Sequence, residues 1–322
     1  MNEAVRFDRL FRNVMISAIV AAAAYLAFSL WVGWRDVAMA VGRVGVAGLA
    51  VALALSLANY MLRFARWQMY LRALGSRIPS GPSALIYLAG FAFTTTPGKV
   101  GELLRGIFLH RRGTSYLQST AAFVSERLSD LLAMVLLVLP GLWLLSRWGT
   151  AALAVAVVIG LVCLGLAMRE TVFRKLTGWV AAAPGKLGAL FGKLLSLLAE
   201  AKCCHGRGLI AATTGLSLLA WGAEAVAFAL VLKLLGVEVS LATAVFIYAA
   251  SMIAGALSFL PGGLGGAEAT MIGLLALYGA PNAESVAATI LIRFTTLWFA
   301  VALGILSSVA GRRALMTPAP IA

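Results

Sequence analysis

A helix-breaking kink that ends in a glutamate occurs twice in this chain, and each copy is followed by an arginine at the same distance. The first copy runs Thr95-Thr96-Pro97-Gly98-Lys99-Val100-Gly101-Glu102, with Arg127 beyond it. The second runs Phe259-Leu260-Pro261-Gly262-Gly263-Leu264-Gly265-Gly266-Ala267-Glu268, with Arg293 beyond it. The glutamate-to-arginine spacing is 25 residues in both. Both copies lie in strongly apolar sequence, where a carboxylate, a guanidinium and an interrupted helix are each costly. Meeting that cost twice, at one spacing, predicts a duplicated unit built around a polar cavity, an organisation common among membrane transporters.

Composition fixes the solvent. The 322 residues are 62% hydrophobic and 12% charged, with mean hydropathy +0.97, a balance that belongs to a polytopic helical membrane protein. Thirteen mostly polar residues precede the first apolar run at 14–34, which is long enough to span and remain, so a cleaved secretory signal is not expected. The net charge of +14 is not a nucleic-acid footprint, because the basic residues sit in short loops beside apolar runs. Cys163 and the adjacent Cys203-Cys204 give neither a disulfide framework nor a metal-ligand spacing. A lipid on Cys203 or Cys204 competes with the plainer reading of two small residues ending an interfacial helix.

Full spans are predicted at 14–34, 44–71, 117–146, 150–168, 209–235 and 285–310. Two shorter runs, 83–96 and 241–260, each enter a kink, and each is followed by a second short run, 100–109 and 267–278. Read as re-entrant hairpins, they give six spans plus two hairpins. The run 241–260 alone is long enough for a full crossing to remain an alternative. With both termini cytoplasmic, twenty of the 26 lysines and arginines fall on inner segments, and only Arg35, Arg43, Arg147 and Lys233 fall outside. The units at 44–146 and 209–310 then have opposite orientations, with their hairpin tips expected on opposite sides. Leu74-Gly75 and Leu235-Gly236 end corresponding helices at an offset of 161, which sets Arg63 opposite Glu224. Residues 170–205 are predicted to form a linking pair of interfacial amphipathic helices, broken at Pro184-Gly185.

The candidate site follows from the charges that have no place in lipid. Glu102 and Glu268 are expected to pair with Arg127 and Arg293, as structural locks, as gates, or as both. Pro97, Gly98 and Gly101 form one hinge, and Pro261, Gly262, Gly263, Gly265 and Gly266 the other. A helix beginning near Val100 would turn its free N–H groups and positive dipole end toward the first tip, an arrangement suited to an anion. The second tip has the same potential, and close packing through small residues is the competing account of both. Glu126 and Asp130 share a helix face, with Arg127 about 100° away. Two carboxylates so close would raise each other's proton affinity, as a proton-coupling site requires. Arg105, three residues after Glu102, is placed to hold a phosphate, and Glu224 is within reach of Arg63 or Arg66. No Ser-His-Asp grouping, HExxH, Walker loop or zinc spacing is present, so no enzyme, cofactor or metal is expected.

With these motifs in view, the chain resembles the lysylphosphatidylglycerol synthase transmembrane family of flippase-like membrane proteins. The likeness runs from about residue 45 to 310. It rests on Pro97-Gly98-Lys99-Val100-Gly101-Glu102, Glu126-Arg127-Leu128-Ser129-Asp130, the stretch from Leu260 to Glu268, and Arg293-Phe294. In two-domain members a soluble aminoacyl-transferase domain follows and makes the aminoacylated lipid, while the membrane part is associated with flipping it. This sequence ends at Ala322, so the resemblance implies translocation of a phospholipid or glycolipid rather than its synthesis. The expected partners are membrane lipids with an anionic or phosphate-bearing headgroup. The expected location is a bacterial cytoplasmic membrane, with oligomeric state unspecified. A transporter of a small polar or ionic solute is the main alternative, and a membrane-embedded lipid-modifying enzyme a weaker one.

Overall fold

The computed structural model describes residues 3–142 and 185–316, and among these every regular element is helical. The span expected at 150–168 and the first helix of the linker pair lie outside the described residues. In chain order the elements are α1 (Glu3–Ala73), α2 (Ser80–Phe91), a 3₁₀ segment (Pro97–Leu104), α3 (Arg105–His110) and α4 (Tyr116–Leu142). After the gap come α5 (Gly185–Lys202), α6 (Arg207–Leu234), α7 (Leu241–Leu257), a 3₁₀ turn (Pro261–Gly263) and α8 (Gly266–Leu277). The chain closes with α9 (Asn282–Arg293), a π turn (Phe294–Trp298), α10 (Phe299–Ala310) and α11 (Arg312–Met316).

Among the described residues, three stretches are long and apolar enough to cross a membrane: Ala38–Ala73, Gly208–Leu234 and Asn282–Ala310. They differ in what surrounds them. Among the described residues, the most apolar window is 22% buried in the first and 61% buried in the last, so the last is the more enclosed by other helices. The two runs predicted at 14–34 and 44–71 join into the single helical stretch α1, in which Gly45 takes a φ of 67°. The arms flanking the kinks are short. At 1.5 Å per residue the 12 residues of α2 reach about 18 Å and the 17 of α7 about 25 Å, both less than a hydrocarbon core of about 30 Å.

The helix ends repeat in detail. Gly75 (φ 78°) and Gly236 (φ 80°) terminate α1 and α6 with matched bonds: Ser76 N to Leu71 O at 2.8 Å, and Val237 N to Leu232 O at 2.9 Å. Gly113 (φ 85°) and Gly279 (φ 77°) terminate α3 and α8 in the same way, with Thr114 N to Leu109 O and Ala280 N to Leu275 O. The first pair is 161 residues apart and the second 166, because α7 is five residues longer than α2.

Corresponding points also touch. Asn59 Nδ2 donates to the carbonyl of Ala220, 161 residues away, at 2.8 Å. Helices α1 and α6 pack antiparallel along their lengths: Gly48 lies beside Leu234, Asn59 meets Ala220, and Arg66 reaches Ser217. The two kinks meet as well, since a Cβ on Gly262 would lie 3.6 Å from Thr95 Cα. The tips are therefore neighbours: Thr95 and Gly262 are buried at their contact, while Phe259, Leu260 and Pro261 of the second tip are exposed. The turn after α3 sits at the end of α1, where Ser76 and Thr114 hydroxyls are 2.6 Å apart. The turn after α8 sits at the end of α6, where residues 278–281 and 236–239 line one shallow cavity.

Apolar packing divides into two main clusters. One surrounds α7 and α8, with Phe228, Ile247, Met271 and Leu275 at its centre. The other surrounds α2 and α3, with Trp67, Tyr87, Phe91 and Phe108. Helix α9 packs on α8, whereas α10, beyond the π turn, packs on α2. Helix α5 packs on α4 with Lys193, Ser196 and Ala199 facing out. Helix α11 docks under α2, where Leu315 is buried and Arg112 Nη2 donates to Ala314 O at 2.7 Å.

Two outcomes are expected. Gly304 packs so closely that an added Cβ would lie 2.1 Å from Ala92 N, whereas nothing lies within 4 Å of a Cβ on Gly215. Gly304→Ala should lose about 1–3 kcal/mol by overpacking, and Gly215→Ala should gain up to about 1 kcal/mol from helix propensity. Thermal unfolding in detergent reads both. Cys203 is exposed and Cys204 buried, and burial pushes the Cys204 thiol up to about 11. With Cys163 replaced by serine, maleimide should modify Cys203 in the folded protein and Cys204 only after denaturation.

Candidate functional site: a buried arginine and carboxylate network

The site starts on α4, where helical spacing sets Glu126 and Asp130 on one face and Arg127, three residues before Asp130, at the side of that face. Glu126 is completely buried, whereas the Arg127 side chain keeps 25% of its surface exposed. Across from them, α1 contributes Arg63 and Arg66 one turn apart. Arg66 has no exposed surface. Its Nη1 donates to Asp130 Oδ1 at 2.6 Å and to Ser217 Oγ of α6 at 2.5 Å, and its Nη2 lies 3.7 Å from Glu126 Oε1. Trp221 of α6 donates its indole N–H to the same Asp130 oxygen at 2.9 Å. Arg63 lies 3.9 Å from Asp130 Oδ2, with its guanidinium 5.3 Å over the Trp221 ring.

The first kink supplies the rest. Its 3₁₀ segment ends at Leu104, and Arg105 opens α3 facing inward. Arg105 Nη2 donates to Glu126 Oε2 at 2.9 Å and to Glu102 Oε2 at 3.2 Å, and its Nε donates to Glu102 O at 3.1 Å. The flat face of Arg105 lies 4.5 Å from the Trp67 ring and 5.3 Å from that of Tyr87. Glu102 also accepts from Thr94 Oγ1 at 3.2 Å. Arg127 closes the set, with Nη2 3.2 Å from Asp130 Oδ2 and 3.6 Å from Glu102 Oε2. Four guanidiniums thus enclose three carboxylates, one positive charge in surplus, at the seam between the two apolar clusters. Among the described residues, Glu126 Oε1, Asp130 Oδ2 and both Nε and Nη2 of Arg127 are buried and make no hydrogen bond.

The second kink is simpler. Arg293 Nε donates to Glu268 Oε1 at 2.7 Å, and its Nη2 to the carbonyl of Gly262 at 2.7 Å. The other carboxylate oxygen, Glu268 Oε2, accepts from Gly265 N–H at 2.7 Å. Gly262, Gly263 and Gly265 all take positive φ, which lets the turn fold its carbonyl and its N–H inward toward one ion pair. Gly266 begins α8 there.

Several expectations change. Glu102 and Arg127 are close, but Glu102 lies nearer Arg105, and Arg127 nearer Asp130. Arg105 spends its Nε and Nη2 on Glu102 and Glu126 and its flat face on two rings, so it serves first as an internal partner of the two carboxylates. The helix-end site at the first tip is not formed, because Pro97–Leu104, including Gly98 and Gly101, is a 3₁₀ segment and α3 has only six residues. At the second tip, Glu268 itself binds the first turn of α8. Glu126 and Asp130 do not stand as an isolated like-charged pair, since each has a guanidinium nitrogen within 2.9 Å. Arg66 turns to Asp130, and the Glu224 carboxylate accepts from Tyr248 Oη at 2.5 Å. Arg63, Arg66 and Arg105 are buried side chains, so they carry no weight as inner-loop charges in the orientation argument. The residues missed are Arg66 as a centre of the network, together with Trp67, Tyr87, Ser217, Trp221 and Tyr248. Two arginines one turn apart inside the most apolar span were the available signal.

Removing one member of a buried pair costs about 3–5 kcal/mol by leaving the other uncompensated. Arg66→Met should fall in that range. In double-mutant cycles on thermal stability, Glu268→Gln with Arg293→Gln should show coupling above about 1 kcal/mol. Glu102→Gln with Arg127→Gln should stay within about 0.5 kcal/mol of additive, because Arg105 keeps Glu102 paired. A cycle in which the two pairs couple equally would contradict the distances above.

The chain was compared with known proteins. Residues 14–304 match the lysylphosphatidylglycerol synthase TM region. A UPF0104 membrane protein of Methanothermobacter thermautotrophicus is 24% identical over 314 residues, which is 90% of this chain and 93% of the relative. A second UPF0104 membrane protein of that organism is 36% identical over 93 residues, or 29% of this chain and 28% of the relative. The match over most of the chain joins the apolar helices and the two kinks into one conclusion: this protein is a multi-pass membrane protein belonging to the lysylphosphatidylglycerol synthase TM region family.

Proposed function

We propose that the chain translocates a phospholipid or glycolipid across the cytoplasmic membrane, passing the headgroup through the polar seam while the acyl tails stay in the bilayer. The observation that carries this reading is the network itself. Seven charged side chains with one positive charge in surplus meet where two interrupted helices touch inside an apolar bundle. Such a group is too costly in a membrane for simple packing to account for it. The family's name concerns the membrane region of a phospholipid synthase, which supports a lipid headgroup as the ligand. In this reading the chain transports and does not catalyse, and the movement is downhill or coupled to an ion.

The layout we propose is an inverted repeat of span, re-entrant hairpin and span, with six full crossings in all and both termini in the cytoplasm. The matched glycine ends, the antiparallel packing of α1 and α6, and the contact of Asn59 with its counterpart Ala220 support it. The hairpins then enter from opposite faces and meet tip to tip. Cysteines at Ser115 and Asn282, beside the two hairpin mouths, should label from opposite sides of sealed vesicles. Labelling of both from one side would remove the inverted layout.

The functional test uses proteoliposomes containing NBD-labelled phosphatidylglycerol, with dithionite quenching as the readout. Wild type should move the lipid, and Glu102→Gln and Glu268→Gln should each slow it by at least about tenfold while remaining folded and inserted. Movement of a small anion but of no labelled lipid would favour the solute transporter instead.

A further inference from the structure

The two halves share a framework but not a charge set. At the offsets of the matched helix ends, Glu102 and Arg127 correspond to Glu268 and Arg293. The remaining members of the network do not recur. Arg66 corresponds to Ala227, Arg105 to Met271, Glu126 to Ile292 and Asp130 to Thr296. Arg63 corresponds to a charge of opposite sign, Glu224, so the second half keeps one ion pair and one further buried carboxylate where the first has seven charges.

The surviving arginines are also used differently. Every nitrogen of Arg293 is engaged within its own half: Nε by Glu268, Nη2 by Gly262 O, and Nη1 by Met252 Sδ at 3.9 Å. Its side chain is 5% exposed. Arg127 faces two carboxylates without hydrogen-bonding geometry, and its Nε and Nη2 make no hydrogen bond among the described residues. Those two nitrogens form the guanidinium edge that matches a carboxylate or phosphate in a two-bond fork. Its neighbours would hold together without it, since Asp130 keeps Arg66 and Trp221, and Glu102 keeps Arg105.

We infer that the twin arginines have divided roles: Arg127 is the specificity-determining contact for an oxyanion of the ligand, and Arg293 is a latch that holds the second hairpin to α9. Ligand recognition is then confined to the first half, off the line along which the halves correspond. The second hairpin closes or opens the path without selecting what passes. This assignment rests on the transport reading only for the source of the oxyanion, a lipid headgroup.

The test separates binding from movement. Dioctanoyl phosphatidylglycerol, dioctanoyl phosphatidylcholine and inorganic phosphate are each titrated calorimetrically into the full chain in detergent, beside thermal unfolding. Arg127→Gln should weaken phosphatidylglycerol binding by about tenfold or more and leave the melting temperature within about 2 °C. Arg127→Lys, which keeps the charge but loses the fork, should bind at an intermediate level. Arg293→Gln should lower the melting temperature and, measured below it, leave binding within about twofold. Phosphate bound as tightly as the lipid, and lost in Arg127→Gln, would support the contact and assign it to a free anion. Binding by wild type without movement of labelled lipid would remove the transport reading and leave the contact standing. The division of roles is overturned if Arg127→Gln binds as wild type, if folded Arg293→Gln loses binding equally, or if wild type binds none of the three.

Discussion

Arg66 has no exposed surface, and its guanidinium reaches Asp130 on α4 and Ser217 on α6 at once. A charge at that depth is tolerable only if its counter-charge is brought to it. The position of α4 relative to α1 is set accordingly, and Trp221, bonding the same carboxylate, brings α6 to the same point. Once Asp130 is fixed there, Glu126 lies one helical turn away and Arg105 must enter to meet it. The first kink supplies that arginine, bringing Arg105 beside both Glu102 and Glu126. Charge pairing in an apolar interior thus places three helices and a hairpin tip, while side-chain packing fills the two clusters on either side.

The second tip is organised by backbone rather than by a side-chain network. Glu268 binds Gly265 N–H and Arg293 binds Gly262 O, so the turn is pinned through its own peptide groups. This explains why Gly262, Gly263 and Gly265 are needed there, and why one ion pair suffices. A loop whose dipoles face inward needs fewer charged side chains to satisfy them.

Much of this was legible in the sequence. The repeated kinks and the glycine-ended helices have direct counterparts in the structure, because each depends on local backbone chemistry, while the 25-residue spacing joins a hydrogen-bonded pair in the second copy and a looser 3.6 Å contact in the first. The Glu268–Arg293 pair was also legible, since Glu284 is the one other charged residue between Glu238 and Arg312 in the sequence. The partners of Glu102 were not. Four arginines of similar reach surround three carboxylates, and spacing along the chain cannot rank distances across helices. Arg63 and Arg66 were misleading because a basic residue near a helix end looks the same in sequence whether it faces the headgroups or the core. Tyr248 gave no signal as a partner of Glu224, because a tyrosine in an apolar run reads as packing.

Arm length carries a consequence of its own. Helix α7 is five residues longer than α2, so the second hairpin reaches about 7 Å further than the first. If the two enter from opposite faces, their tips meet nearer the face from which the first one starts, not at the midplane. The charged seam then lies at unequal electrical depth from the two sides. A charged headgroup moving between the seam and either surface would cross unequal fractions of the membrane voltage, a drop worth about 2.3 kcal/mol per charge for each 100 mV. Entry and exit would then respond differently to the membrane potential. On the proposed layout, a difference in helix length, with no change in any charged residue, would be enough to make the two directions of passage electrically distinct.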